Sequence, residues 1–559
     1  MAALFRYIYL AEREKMPIFA PTNINPTTPM ARIAISLSGG GFRAATFHLG
    51  SLSYLNHLRT AGGTPLLDHI AAVSTISGGT LTGLWFILGK CRGWSNDESL
   101  ARLARLLLKG DIIDRASHEF LCGANKNNSL IREMVKIYDE DIFEDATLGD
   151  LMDKIDVISI DDFSANATEF NNATEFRFQV GKAVKTEKKG TSRGIVGNAY
   201  NNIPLGVARQ IRLAEVFAAS SCFPGGFEPL FFPRDFQFSR NEANAEALLK
   251  LKHVALMDGG VVDNQGIEPI NLIRNRKDLD LFIISDAGRG HEKPYDYQES
   301  RHLPWLTVHR INVTLNVAII AVAQFLLWVP QGFWTGFFLG LTLIFLTMRV
   351  ATALASRRLI KRYARQVPFS FNWKELLHIP VSKYINLIAS RATSMLTLTD
   401  KVFMNHIRSL NYDTIYNDPR WQNRRIMNAL YELCSARNWS KNLKDNKAKG
   451  QYIVSDEELR LMEPSDAINQ TSDNAADMAT TLWWSADDRQ KGKPQALAAT
   501  GQYTLCWNLL EYIYRLRKDT TNLGPQADTI ISLQAQLEDD WRHFKKDPLW
   551  LLNELGMTE

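Results

Sequence analysis

Between Arg310 and Arg349 the chain runs for 38 residues without one charged side chain. A helix needs about 20 apolar residues to cross the hydrocarbon core of a bilayer. The stretch therefore divides into two spans, Ile311 to Val329 and Phe333 to Val350, joined by Pro330, Gln331 and Gly332. Trp328 and Trp334 flank the joint as interfacial aromatics do. Both outer flanks are basic: His309 and Arg310 before, and Arg349, Arg357, Arg358, Lys361, Arg362 and Arg365 after. The positive-inside rule then puts both ends on the cytoplasmic side. The expectation is a hairpin in the inner (cytoplasmic) membrane, contacting the bilayer through residues 311–350. A very hydrophobic core hairpin competes with it, supported by the polar Asn312, Asn316 and Gln324, and a re-entrant loop is the third reading.

Outside this stretch the chain reads as an ordinary folded protein. Its 559 residues allow several folded units, and 45% hydrophobic against 22% charged side chains excludes disorder. The net charge of +4, from 64 basic and 60 acidic residues, is too even to argue for nucleic acid. Cys91, Cys122, Cys222, Cys434 and Cys506 lack metal-ligand or CxxC spacing and read as free thiols. The opening MAALFRYIYLAEREKMPIF is broken by Arg6, Glu12 and Glu14, so it does not read as a secretory leader. The catalytic part is expected to face the cytoplasm, and the two sequons in the tandem NATEF of residues 166–176 to stay unmodified.

Ala31 to Leu37 is a short apolar run bounded by glycines, as a buried strand would be. The following Phe42 to Leu58 spaces Phe47, Leu49, Leu52, Leu55 and Leu58 as a helix face does. The pattern repeats with Ile70 to Thr75, a glycine turn and Leu81 to Leu88, which indicates a parallel α/β layer. Phe176 to Val180, Val254 to Met257 and Leu279 to Ser285 are further strand candidates. The division expected is a lead-in over 1–30, a catalytic α/β domain over 31–300, the hairpin insertion with its basic flanks over 301–365, and a helical region over 366–559 packed on the catalytic domain. Helices are expected to start near Pro494 and Pro525, and Trp483 and Trp484 read as buried packing ahead of a membrane anchor.

Three constellations carry chemistry. Ser38-Gly39-Gly40-Gly41-Phe42-Arg43 lies between a strand and a helix, where backbone amides point outward at negative charge. It lacks the phosphate-loop and dinucleotide patterns, and the same physics serves an oxyanion hole. Thr75-Ile76-Ser77-Gly78-Gly79 occupies a second strand-to-helix turn, the place of a nucleophile elbow, though a Gly-rich turn with a capping serine reads equally well. Asp258-Gly259-Gly260 closes the run Val254 to Met257 and leads to Asp263 and Asn264. Alone it would be a turn.

In this order the three motifs resemble the patatin-like phospholipase family, and Ala219-Ser220-Ser221-Cys222-Phe223-Pro224 is similar to a segment that family carries between its serine and aspartate. The resemblance covers residues 31–290. It implies a three-layer α/β sandwich with a mostly parallel central sheet, and a Ser-Asp dyad without a triad histidine. Ser77 would then be the nucleophile and Asp258 the base, with the amides of Gly39, Gly40 and Gly41 as oxyanion hole. Arg43, Gly79, Gly260 and Asn264 would support them. Thr75 stands where an elbow usually has glycine, and Cys222 where the family more often has alanine.

The activity implied is hydrolysis of acyl esters of membrane lipids, of phospholipase A or lysophospholipase type, with no cofactor or metal. Lipid and bilayer would be its partners, with an unidentified activator as a further candidate. The alternatives are an α/β-hydrolase triad using His291 or His302, and a catalytically silent membrane-anchored binding protein. His48 reads as structural. A role as toxin or immune effector is compatible with the same chemistry.

Overall fold

The structure, a computed structural model, describes residues 30–109, 129–182, 196–238, 248–274, 278–288, 305–330, 332–364, 378, 380–422, 424–435, 455–481, 484–518 and 527–557. They fall into two compact units, Met1–Glu292 with Thr399–Glu559, and Lys293–Leu398. His291, His302, Cys122, Trp483 and the lead-in before residue 30 lie outside the described residues.

The first unit opens with β1 (Ile33–Leu37) and α1 (Gly41–His57), followed by β2 (Ile70–Ile76) and α2 (Gly78–Arg92). Then come β3 (Asp162–Glu169), β4 (Thr174–Gly181), β5 (Val196–Gly197) and β6 (Asn202–Ile203). The unit continues with α3 (Leu213–Ser221), β7 (Leu230–Phe232), β8 (Val254–Asp258), α4 (Ile267–Arg274) and β9 (Leu281–Asp286). Among the described residues all strands join one ten-stranded sheet, in the order β10 (Arg425–Ala429), β9, β1, β2, β3, β4, β5, β6, with β8 on β3 and β7 on β8. From β10 to β3 every pairing is parallel, and beyond β3 every pairing is antiparallel. The sheet is mixed, its parallel half carrying the strand–turn–helix repeats read from the sequence.

Why the parallel strands read as unbroken apolar runs is plain from their two faces. Ile33, Ile35, Leu37, Val73, Leu281 and Ile283 join one core, whereas Ala34, Ala72, Phe282 and Ile284 join a second. A strand covered on both sides has no polar face to show. Three layers result, with α1 against the first face and α4 contributing Ile267 and Ile270 to the second core.

The Lys293–Leu398 unit contains α5 (Val308–Leu326) and α6 (Phe333–Ala364). Both are long and apolar enough to cross a membrane, over Val308–Leu326 and Phe333–Arg358. Most of their large apolar side chains are exposed, among them Phe325 at 61%, Phe333 at 79% and Leu339 at 63%, while Leu315 is buried. Two of the polar residues that favoured a core hairpin, Asn312 and Asn316, bond between the two helices. Arg349 Nε donates to Asn316 Oδ1 at 3.1 Å, and Thr352 Oγ1 to Asn312 Oδ1 at 3.0 Å.

After this unit the chain returns to the sheet. It forms α7 (Met404–Tyr416), β10 (Arg425–Ala429), α8 (Lys493–Lys518) and α9 (Ala527–Lys546). The region expected to be helical thus also supplies an edge strand, paired parallel to β9 from Arg425↔Phe282 to Ala429↔Asp286. Beside that pairing, the buried Asp286 carboxylate accepts from Arg408 Nε at 2.8 Å and from the Tyr412 hydroxyl. The Arg408 charge and these bonds outweigh burial and hold Asp286 below the usual carboxylate range. Trp484 is buried in the first core, as its sequence context suggested.

Candidate active site

β2 ends at Ile76, and α2 begins at Gly78. The single residue between them, Ser77, has φ 49° and ψ −119°, a backbone state that costs a non-glycine residue about 1–3 kcal/mol. Such strain persists only where the surroundings fix it. Ser77 N–H donates to Ser220 Oγ at 2.9 Å, and Thr80 N–H takes the Ser77 carbonyl at 2.8 Å. A Cβ on Gly78 would strike the backbone carbonyl of Gly41, so the elbow and the glycine loop meet backbone to backbone. Gly79 lies equally close to the Leu37 carbonyl. Thr75 fits because the facing helix has Gly83 opposite it, where any Cβ would collide with Thr75 Cγ2.

β3 joins the two halves of the site. Its Asn166 is in register with Ile76 of β2, and its next residue, Ala167, with Asp258 of β8. Because β4 pairs along the whole of one edge of β3, β2 and β8 share its other edge, and Ser77 and Asp258 stand where their ends meet, at neighbouring β3 residues. Asn166 Nδ2 donates to the Thr75 carbonyl at 3.1 Å, while its own carbonyl accepts from Ser220 Oγ at 2.7 Å. Asp258 is 3% exposed; Gly260 N–H donates to its Oδ1 at 2.7 Å, and Thr168 Oγ1 to its carbonyl at 2.8 Å. The carboxylate is oriented from both its side-chain and its main-chain ends.

The glycine loop starts at Ser38, at the end of β1. Gly39 N–H donates to the Asn264 carbonyl at 3.0 Å, which commits that amide. Asn264 Oδ1 occupies the space where a Cβ on Gly39 or Gly260 would go, so this residue links the loops carrying Gly39 and Asp258. Gly41, with φ 61°, starts α1, and Phe42 N–H donates to the Thr481 carbonyl at 2.8 Å. Among the described residues the N–H groups of Gly40 and Gly41 have no protein acceptor. Arg43 is 3% exposed, and its Nη1 donates to the Met478 carbonyl at 3.0 Å. It braces the loop against a segment more than 400 residues away.

His48 is fully enclosed. Its Nε2 lies 2.9 Å from the Ser38 carbonyl and its Nδ1 2.8 Å from Ser285 Oγ. Burial lowers its pKa to about 4, against the smaller opposing effects of the Ser38 bond and the Asp286 charge. Sequence reasoning missed Asn166, buried in a strand with no apolar pattern, and Met478 and Thr481, whose contribution is made by backbone carbonyls. Ser220 was visible within the Ala219–Pro224 segment, but its bond to Ser77 was not.

Residues 35–270 match the family model described as patatin-like phospholipase. Among solved structures, a human GIVD cytosolic phospholipase A2 aligns at 15% identity with a TM-score of 0.29, over 46% of this chain and 43% of that one. The chain thus spans under half the length of that protein. No curated protein sequence matches.

Proposed function

Because the chain carries a patatin-like phospholipase domain over residues 35–270, we propose that it is a membrane-associated serine acyl hydrolase acting on lipid esters through a Ser77–Asp258 dyad. The observation that carries this reading is the register of β3, which sets the strands ending in Ser77 and Asp258 beside Asn166 and Ala167. In the reaction proposed, Ser77 Oγ attacks the acyl carbonyl as Asp258 takes its proton. The carbonyl oxygen becomes an oxyanion that the N–H groups of Gly40 and Gly41 receive, Gly39 being committed to Asn264. Collapse expels the lipid alcohol, which leaves with the proton from Asp258. Water then attacks the acyl-Ser77 ester as Asp258 accepts its proton; collapse returns that proton to Ser77 Oγ and releases the fatty acid.

The dyad is favoured over a triad by His48, whose two nitrogens are already bonded to Ser38 and Ser285. The membrane part of the reading rests on the length and exposure of α5 and α6. Their basic flanks favour the cytoplasmic side for the catalytic unit. Anchoring there would raise the local concentration of lipid at the site.

The test is fatty-acid release from mixed phospholipid vesicles by wild type, Ser77→Ala and Asp258→Asn, with folding checked by thermal unfolding. Release is expected from wild type alone. Persistence in Ser77→Ala would remove the nucleophile assignment, and none from wild type would favour a binding role or a missing activator.

A further inference from the structure

The peptide unit joining Ser38 to Gly39 is held at both ends: its carbonyl lies 2.9 Å from His48 Nε2, and its N–H donates to the Asn264 carbonyl at 3.0 Å. A carbonyl can only accept, so Nε2 carries the imidazole proton and Nδ1 is the acceptor for Ser285 Oγ at 2.8 Å. Behind Ser285 further buried polar groups follow, with Ser51 Oγ also within reach of the Phe47 carbonyl at 3.2 Å. Ser51 Oγ lies 3.2 Å from Ser285 Oγ, and Asn428 Nδ2 donates to Ser51 at 2.9 Å. Ser38 is secured further by its own N–H to the Ser285 carbonyl at 3.0 Å and by Ala287 N–H to its Oγ at 2.9 Å.

This matters because the next two residues are glycines at φ 144° and 61°, whose peptides can reorient at little cost unless their starting plane is fixed. An oxyanion hole works only if its donors already point at the developing charge. We propose that His48, held as its Nε2–H tautomer by the Ser38 carbonyl and seated by Ser285, is a positioning residue that pins the Ser38–Gly39 peptide and so aims the Gly40 and Gly41 amides, taking no part in proton transfer. The charged group facing the ring is Asp286, itself bonded by Arg408 and Tyr412, and the imidazole stays neutral through the neutral pH range. Two of these supports, Ser285 and Asn428, lie beyond the family-matched residues. The glycine loop is thus set partly from outside the matched domain.

The inference rests on the Ser77 reading, and the experiment separates the two. Full-length wild type, His48→Gln, His48→Phe and Ser285→Ala are compared for kcat and KM on p-nitrophenyl butyrate, and for labelling of Ser77 by a fluorophosphonate. Loss of one oxyanion donor costs about a hundredfold or more in kcat, so misaimed donors in His48→Phe should cost roughly tenfold to a hundredfold with KM unchanged. His48→Gln, whose amide can still donate to Ser38, should recover most of that loss and keep the wild-type pH–kcat profile. Ser285→Ala should show a smaller drop in kcat alone. No labelling of wild-type Ser77 would defeat the hydrolase reading itself. Labelling at equal rates in wild type and His48→Phe would defeat only the role given to His48. A pH limb present in wild type and missing in His48→Gln would make His48 a proton-transfer group and overturn the proposal. Should His48→Phe not fold, an unchanged kcat in Ser285→Ala overturns it as well.

Discussion

The backbone N–H of Ser77 donates to the side-chain oxygen of Ser220, 143 residues later in the chain, at 2.9 Å. The same Oγ donates to the Asn166 carbonyl at 2.7 Å and lies 2.8 Å from Thr80 Oγ1. One hydroxyl therefore ties the strained turn to β3. Ser220→Ala leaves a buried N–H unpaired at a residue already off its preferred dihedrals, a loss of about 1–3 kcal/mol. The variant should unfold at lower temperature, and its kcat on a soluble ester should fall more steeply than its KM rises. Unchanged turnover at a lowered melting temperature would show that the bond serves stability alone.

Gly78→Ala tests the meeting of elbow and glycine loop. The added methyl would be driven into the Gly41 backbone, and no flexible side chain is there to yield. Overpacking of this kind costs about 1–3 kcal/mol. Labelling of Ser77 by a fluorophosphonate should be nearly abolished in protein that still folds, and wild-type labelling would mean the two loops can separate freely.

Trp484 fixes the segment whose Thr481 carbonyl receives Phe42 N–H. Its indole donates to the Leu107 carbonyl, and its ring lies 6.0 Å from that of Phe42. Trp484→Ala should cost about 3–5 kcal/mol, as large-to-small changes of buried aromatics do. Because the start of α1 loses its brace, ester hydrolysis should fall too. Trp484→Phe keeps a ring and should retain most activity. Equal loss in both variants would shift the role from ring packing to the indole bond.

The buried imidazole also has a consequence for acid stability. His48 titrates near 6.5 in an unfolded chain and at about 4 in the folded one, so between those values the unfolded state binds the extra proton. Its contribution is complete above about pH 6.5 and is lost as pH falls toward 4, by about 3 kcal/mol in all. Unfolding free energies of wild type and His48→Gln, measured from pH 7.5 down to 4, should show wild type losing stability faster. Parallel curves would mean that the ring takes up its proton without unfolding.

The candidate site was more legible than the sheet. Glycines betray close backbone approach, and all three motifs around Gly39, Ser77 and Asp258 could be found that way. Strands β1, β2, β4, β8 and β9 also matched their apolar runs. β3 did not, because DFSANATE is buried along its whole length while carrying Ser164, Asn166 and Thr168, polar groups satisfied by bonds to neighbours invisible in sequence. The tandem NATEF, noted only for its two sequons, straddles the β3–β4 turn, and the first sequon's Asn166 is wholly enclosed beside the elbow. β10 escaped notice because its partner, β9, lies some 140 residues earlier, and a five-residue strand has little periodicity of its own.

β9 and β10 are neighbours in the sheet, yet α5 and α6 lie between them in the chain. A ribosome releases both apolar helices before it makes β10, and before Asn428, Met478 and Thr481, on which the glycine loop rests. A nascent chain that already holds Ser77 and Asp258 still lacks the pieces that finish their surroundings. Translation order thus makes emergence of the two apolar helices precede completion of the surroundings of Ser77 and Asp258, a delay written into the connectivity itself.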